Sequence, residues 1–425
     1  MIWLGGAFLV ALLAGVPIAF VLGLGAFAYF LGTDNARFLV SVPQRMFAGG
    51  DSFVLLAIPL FVLAGNLMDV GGLTRRLVDL ANSIVGRFRG GLSLTAVWGS
   101  FLFGGVSGSA VADAAALGTA LAPDMRRQGY QEDYSAALIG VSSIMAPLVP
   151  PSIAMILYGA LSGTSISRLF VAGIVPGVLL ATALSAYALW IAGRRGYPKL
   201  EPAGAGEIAR GLARSAPVLL LPVIIVGGIR GGVVTPTEAA AVAVLYALAV
   251  AGLGYRALDL ARLRRVFLAT ALVSSAIYLL VGFAHVLALI FALERLPQAV
   301  VAALSGISEN RWVVMVLVNL ILLGLGMFLD IVGVLILTVP ALMAIGAELG
   351  FDPVHLGVIV VFNCLIGFAT PPVGLCLYVM SGVTRRPIEA ISLHALPMVG
   401  IAILVLALIT AFPALVLFLP DLLVE

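Results

Sequence analysis

Two short stretches of this sequence hold residue types suited to gripping ions. The first reads Ala146-Pro147-Leu148-Val149-Pro150-Pro151-Ser152, and the second Gly367-Phe368-Ala369-Thr370-Pro371-Pro372. Each interrupts an apolar run that would otherwise make a continuous helix. Proline lacks an N–H, so carbonyls one turn earlier lose their helical partners. An unpaired carbonyl in hydrocarbon is costly unless something binds it. A sodium ion, ringed by carbonyl and hydroxyl oxygens, would meet that need. Ser142, Ser143 and Ser152 add hydroxyls near the first break, and Asn363 and Thr370 add side-chain oxygens near the second.

Two glycine-rich centres supply a complement. Gly104-Gly105-Val106-Ser107-Gly108-Ser109 offers hydroxyls and accessible backbone, with Asp113 about one turn on. Gly324-Leu325-Gly326 offers backbone alone, with Asp330 one turn later. Half-helices starting at such points direct the positive ends of their dipoles at whatever lies between them, which suits a carboxylate substrate. Close helix packing also explains clusters of small residues. The paired Pro-Pro breaks in both halves favour binding.

These residues need membrane-spanning elements to position them. Of the 425 residues, 62% are hydrophobic and only 10% are charged. A soluble domain carries about 25% charged residues, so the composition points to an all-α polytopic membrane protein. Candidate segments are 4–31, 53–70, 92–121, 134–158, 170–191, 216–229, 233–251, 266–292, 313–346, 354–380 and 395–419. Segments 92–121 and 313–346 are too long for one plain span and break at their glycine-rich centres. Re-entrant hairpins fit them, with pairs of short complete spans as the other reading. The segments 134–158 and 354–380, broken by proline, read as discontinuous helices. Residues 73–91 read as an interfacial amphipathic helix.

With the hairpins excluded from the crossings and the N-terminus cytoplasmic, most of the 23 basic residues fall inside. Only Arg37, Arg45, Arg168, Arg230, Arg295 and Arg311 fall outside, which agrees with the positive-inside rule. The C-terminus is then periplasmic, where Asp421 and Glu425 have no basic neighbour in sequence. The polar stretch 193–215 is expected to be a cytoplasmic linker between two halves, 1–192 and 216–425. The shift in numbering that carries Pro150-Pro151 onto Pro371-Pro372 also carries one glycine-rich centre onto the other. Each half runs span, span, hairpin, polar Gly-aromatic turn, broken span. An odd number of crossings between matched elements makes the repeats inverted, the usual plan of a secondary transporter.

Other features exclude alternatives. Cys364 and Cys376 lack partners at metal-ligand spacing, and His285, His355 and His394 are scattered. No nucleotide-binding motif is present, and no basic patch stands beside aromatic platforms, so neither an ATP-driven pump nor a nucleic-acid partner is expected. The apolar start lacks a preceding basic residue and reads as a first span rather than a cleaved leader. Thr235-Pro236-Thr237-Glu238 reads as a helix start with a capping box. Asp51 reads as a cap for the following span. Asp69 either caps the next helix or faces the transport path.

Several of these segments, taken together, resemble the large membrane subunit of the tripartite ATP-independent periplasmic (TRAP) transporters. They are Ile58-Pro59-Leu60-Phe61-Val62-Leu63-Ala64-Gly65-Asn66-Leu67-Met68, Gly105 to Asp113, Pro147 to Ser152, Thr235 to Ala241 and Gly367 to Pro372. The resemblance covers nearly the whole chain. It implies a bacterial or archaeal inner-membrane carrier, not an enzyme, that imports organic acids with two or more sodium ions. It implies a small four-helix membrane subunit as a separate chain, surrounding lipid, and a periplasmic substrate-binding protein that delivers the ligand. It also implies an elevator mechanism, with hairpins and broken helices moving against a scaffold. Carried onto this sequence, one sodium site would use Ser107, Ser109, Ala146, Val149 and Pro151. A second would use Gly326, Gly367 and Thr370. Ala146 stands where glycine is common in such proteins, which a backbone ligand tolerates. The candidate substrate contacts are Asn66, Ser107, Gly108, Ser152, Asn363 and Pro372.

Three other readings compete. A stand-alone sodium/carboxylate symporter would need no binding protein. An intramembrane enzyme would need a catalytic pair, yet the one lysine, Lys199, lies in the polar stretch. A passive channel would show no coupling between sodium and solute.

Overall fold

With so few charges and so much apolar sequence, the backbone must satisfy its own polar groups, and helices do this locally. The fold, taken from a computed structural model, is described for residues 2–199, 203–308 and 310–424. Among them the only β-type pairing is an isolated bridge between Arg89 and Lys199. The first half holds α1 (Ile2–Leu13), α2 (Ile18–Gly32), α3 (Val42–Gly50), α4 (Ala57–Val70), α5 (Leu73–Val85), α6 (Gly91–Ser107), α7 (Ala110–Arg127), α8 (Glu132–Ser142), α9 (Ile153–Ser162), α10 (Ile166–Ala172) and α11 (Ile174–Arg195). Then follow α12 (Ala205–Arg230), α13 (Pro236–Leu248), α14 (Leu260–Leu293), α15 (Leu296–Ile307), α16 (Arg311–Gly326), α17 (Ile331–Glu348), α18 (Pro353–Phe368), α19 (Leu375–Thr384), α20 (Ile388–Ala411) and α21 (Ala414–Leu423).

Among the described residues, seven helical segments are long and apolar enough to cross a membrane, and the pair formed by residues 132–148 and 153–162, bent by 44°, makes an eighth candidate. The seven include the expected spans at 53–70, 170–191, 216–229, 233–251 and 266–292, whereas 395–419 is divided, with the span ending at Ala411 and α21 following. The 34-residue α14 is about 50 Å long at 1.5 Å per residue, well beyond the hydrocarbon thickness.

The two proline-broken segments form the core. Every residue of α8 from Asp133 on is buried, as is the 3-10 turn Ser143–Leu148 that continues it. In α18 burial is complete from Val354 to Phe368. Helices that are apolar all round belong inside a large bundle. A bidentate pair ties their far ends: Arg386, just after α19, donates to both carboxylate oxygens of Asp133 at 2.7 and 3.0 Å.

Several expectations need correction. Segment 4–31 is not one span. Val16-Pro17 interrupts it, and α1 and α2 fold back on each other, with Trp3 against Gly32 and Leu4 and Phe8 against Gly25. The N-terminal end therefore shares a face with the loop after α2, rather than lying across the membrane from it. There Tyr29 donates to Glu294 at 2.6 Å and accepts from Asn35 at 3.0 Å. The polar stretch 193–215 is only partly a connection, because α12 begins at Ala205 and packs on α5. Pro217 lies inside that helix, and the Tyr246 hydroxyl of α13 donates to the Pro217 carbonyl at 2.6 Å. Helix α15 was not expected from the sequence. Asp421 does have a basic neighbour, since it pairs with Arg168, while Glu425 lies outside the described residues. Asp51 closes α3 instead of capping the next turn.

Candidate ion and substrate site

Segment 92–121 is a helical hairpin, in which α6 and α7 pack along each other with Gly99 facing Leu117. The chain turns at Gly108, whose φ of +58° favours glycine. A methyl group there would also overlap the Pro151 carbonyl oxygen. Ser109 then caps α7, its hydroxyl accepting from Ala112 N at 3.4 Å. Ser152 caps α9 in the same way, accepting from Met155 N at 3.2 Å. Two helix N-termini thus lie close together, that of α9 buried at Ser152 and that of α7 open at Val111 and Ala112. That arrangement attracts an anion through dipoles and backbone N–H groups.

The hairpin also lies against the 3-10 turn. A Cβ on Gly104 would fall 2.6 Å from Ala146 Cα. Gly65 of α4 brings the Asn66 segment to the hairpin, its Cβ position 3.1 Å from the Val106 carbonyl oxygen and 3.5 Å from Ser107 Cα. The structure therefore brings together Ser107, Gly108, Ser109, Ala146, Pro151 and Ser152, with Val149 closing the turn. Asn66 itself turns aside. Its amide donates to Thr270 of α14 at 3.0 Å. It lines a cavity of about 290 Å³ with Asp69, Arg262 and Arg265. Asp69 does not cap the next helix, since α5 starts from Gly72 with no side-chain cap; it accepts from the Thr74 hydroxyl at 2.8 Å and lines this cavity.

In the second half, α16 ends at Gly326 and α17 starts after Asp330, so the break lies at Met327–Asp330 rather than at Gly324–Gly326. Gly326 abuts α18, where a Cβ on Gly367 would stand 2.6 Å from the Gly326 oxygen. Asp330 caps α17, accepting from Gly333 N at 3.1 Å. The Thr370 hydroxyl donates to the Ile366 carbonyl at 2.6 Å, which leaves its oxygen lone pairs free to face a cation. Asn363 donates to the carbonyl and the side-chain oxygen of Asn319 at 2.9 and 2.7 Å. Asn319 was missed by sequence reasoning; its signal was a lone amide in the apolar run of α16. Pro372 is exposed at the break. Both Pro150-Pro151 and Pro371-Pro372 are cis. The capping box at Thr235 and Glu238 is present as expected.

Among the buried side-chain atoms without a hydrogen-bond partner, two lie on the broken segments. The Ser142 hydroxyl and the Asn363 side-chain oxygen have no hydrogen-bond partner. These two residues also correspond under the repeat, standing at the same separation as Pro150 and Pro371. A water or a bound group would satisfy each of them.

The described residues thus form an all-helical bundle of membrane-spanning segments with broken helices at its core. The YdaH transporter of Alcanivorax borkumensis shares the fold at a TM-score of 0.60, with 13% identity, over 91% of this chain and 90% of that one. Residues 6–415 match the family described as "Tripartite ATP-independent periplasmic transporter, DctM component". The chain belongs to that family. It is 40% identical to the sialic acid TRAP transporter large permease protein SiaM of Vibrio cholerae, over 99% of this chain and 97% of that protein. It is 35% identical to the C4-dicarboxylate TRAP transporter large permease protein DctM of Rhodobacter capsulatus, over 98% of both. It is accordingly a multi-pass membrane permease of a tripartite, ATP-independent transport system.

Proposed function

We propose that this chain imports an organic acid anion, delivered by a periplasmic substrate-binding protein, in symport with two or more sodium ions. The observation that carries the reading is the meeting of hairpin and proline break in each half, with a leftover buried acceptor beside each. In the first half, Ser107, Ser109 and the carbonyls around Ala146, Val149 and Pro151 hold one sodium ion. In the second, Gly326, Gly367 and Thr370 hold another. The substrate carboxylate sits at the N-termini of α7 and α9, against Ser107, Gly108 and Ser152, with Asn363 and Pro372 from the second half. Relatives named for sialic acid and for C4-dicarboxylates support a carboxylate as the common recognition element.

The hairpins and broken helices move as one body past a scaffold of the remaining helices and a separate small membrane subunit, in elevator fashion. The chain sits in a bacterial inner membrane with its C-terminus periplasmic. Each elementary charge moved across 100 mV supplies about 2.3 kcal/mol, so two sodium ions with one monoanion gain from the potential as well as the gradient. Sodium and substrate must raise each other's affinity equally.

The test is uptake by proteoliposomes holding this chain and its small partner, with ligand-loaded binding protein outside. Uptake that needs both the sodium gradient and the binding protein is expected. Gradient-driven uptake without the binding protein would overturn the tripartite reading in favour of a stand-alone symporter. Uptake indifferent to sodium would overturn the coupling.

A further inference from the structure

The two broken segments are crossed, each finishing beside the start of the other. At one end of the pair, the Tyr158 hydroxyl of α9 donates to the carbonyl of Pro353, the first residue of α18, at 3.0 Å. The Tyr158 ring takes the space left by Gly357, where a Cβ would fall 2.4 Å from Tyr158 Cε1. At the other end, Arg386 follows α19 and donates to Asp133 in the first turn of α8, through Nε at 2.7 Å and Nη2 at 3.0 Å. Helices α8 and α19 are closely packed there, since a Cβ on Gly140 would stand 3.1 Å from Leu377 and 3.3 Å from Met380. One end is thus joined by a neutral hydrogen bond and the other by an ion pair.

The surroundings hold that ion pair in place. A bidentate guanidinium is fixed in plane as well as distance. The Asp133 side chain is only 11% exposed, so its carboxylate is largely withdrawn from water. Its neighbour Glu132 is engaged by Arg126 at 3.2 Å, which leaves Asp133 to Arg386. Arg385 has a φ of +56°, a left-handed conformation uncommon for an arginine, and it turns the chain after α19. The Ser381 hydroxyl donates to the Arg386 carbonyl at 2.7 Å and secures that turn.

We propose that Asp133 and Arg386 are positioning residues whose ion pair, with the Tyr158 link at the opposite end, holds the two broken segments in one register. The inference deepens the reading above and rests on it, because there the substrate is gripped by Ser152 of one segment and by Asn363 and Pro372 of the other. Asp133 lies at the start of α8, away from the Ala146 turn, and Arg386 lies past the end of α19, away from the Thr370 break. Both therefore act through the spacing of the half-sites. A substrate that bridges two segments binds well only where their spacing is held in advance.

The experiment pairs a distance measurement with uptake, on the chain with its small partner in lipid. Spin labels go on Ala160→Cys and Tyr378→Cys, which are exposed on α9 and α19, while the native cysteines are buried. The wild type should give one narrow distance distribution. Arg386→Ala should broaden it, and the exchanged pair Asp133→Arg with Arg386→Asp should narrow it again. With loaded binding protein outside and sialic acid or succinate as the probe, Arg386→Ala should raise the substrate KM about tenfold with little change in maximal rate, and the exchanged pair should recover most of that loss. Should Arg386→Ala fail to assemble, Arg386→Lys keeps the charge without the bidentate fork and should broaden the distribution less. A pair that only stabilises the fold would lower the unfolding midpoint and leave both width and KM unmoved, which overturns the inference. A wild type that takes up neither acid with sodium overturns the reading above, and the distance widths then decide the register by themselves.

Discussion

In the first half of the chain the hairpin turns at Gly108-Ser109 and its backbone presses on Ala146 and Pro151. In the second it turns at Met327–Asp330 and presses on Cys364 and Gly367. The contacts fall at matching positions, since Ala146 and Gly367 correspond under the same repeat as the two Pro-Pro pairs. The chemistry then diverges. Ser109 caps α7 with a neutral hydroxyl, whereas Asp330 caps α17 with a carboxylate. Ser152 caps α9, whereas α19 starts from Gly374 with no side-chain cap. The arms also differ: α6 and α7 pack closely, while α16 and α17 touch far less. The first half carries two side-chain-capped, positively polarised helix starts. The second places an acid at its hairpin tip, which repels an anion and favours a cation.

The largest expected effect comes from the close backbone approaches. Gly108→Val and Gly367→Val should each reduce sodium-driven uptake by more than a hundredfold, because a side chain would enter the Pro151 carbonyl or the Gly326 backbone. Gly324→Ala, with open space around its Cβ position, should stay within about twofold on the helix-propensity scale. Equal damage at Gly324 would break the claim that backbone contact defines both half-sites.

Next in size is the loss of hydroxyls. Ser107→Ala should raise the sodium concentration for half-maximal uptake about tenfold. Ser152→Ala should also cost about 1 kcal/mol of stability through its lost cap, read as a lower midpoint of thermal unfolding. No second-half substitution at Gly374 can reproduce that loss of a cap. A Ser152→Ala variant with unchanged unfolding and uptake would remove the asymmetry between α9 and α19.

The smallest effects are expected around Asn363 and Thr370. Asn319→Ala frees the Asn363 amide, and Thr370→Val removes one oxygen that faces the break. Each should shift sodium or substrate half-saturation two- to fivefold with little change in maximal rate. A larger effect on maximal rate would move the second half-site from ion binding to the conformational step.

Much of this was legible in the residues. The prolines at 147, 150, 151, 371 and 372 announce broken helices because the missing N–H is a local property. Glycine and serine at 104–109 announce the hairpin turn, and Thr235 with Glu238 announces a capped start. Long apolar runs such as 266–292 announce spans. Where the sequence misled, the deciding contact was distant. Residues 4–31 are apolar throughout, so only the packing of Trp3 on Gly32 shows a fold-back. Residues 205–215 are polar, yet their helix is held by α5, with the Ser215 hydroxyl donating to the Arg76 carbonyl at 3.1 Å.

By itself the sequence determined the membrane class, the proline breaks and the first hairpin turn, because hydrophobicity and missing backbone donors act over a few residues. The tertiary structure decided which side chains keep their acceptors open. The Asn66 amide is engaged by Thr270 and that of Asn363 by Asn319, while Asp113 and Ser142 are left without partners. That outcome depends on which helix packs beside each residue, and burial makes every unpaired oxygen a demand for a ligand.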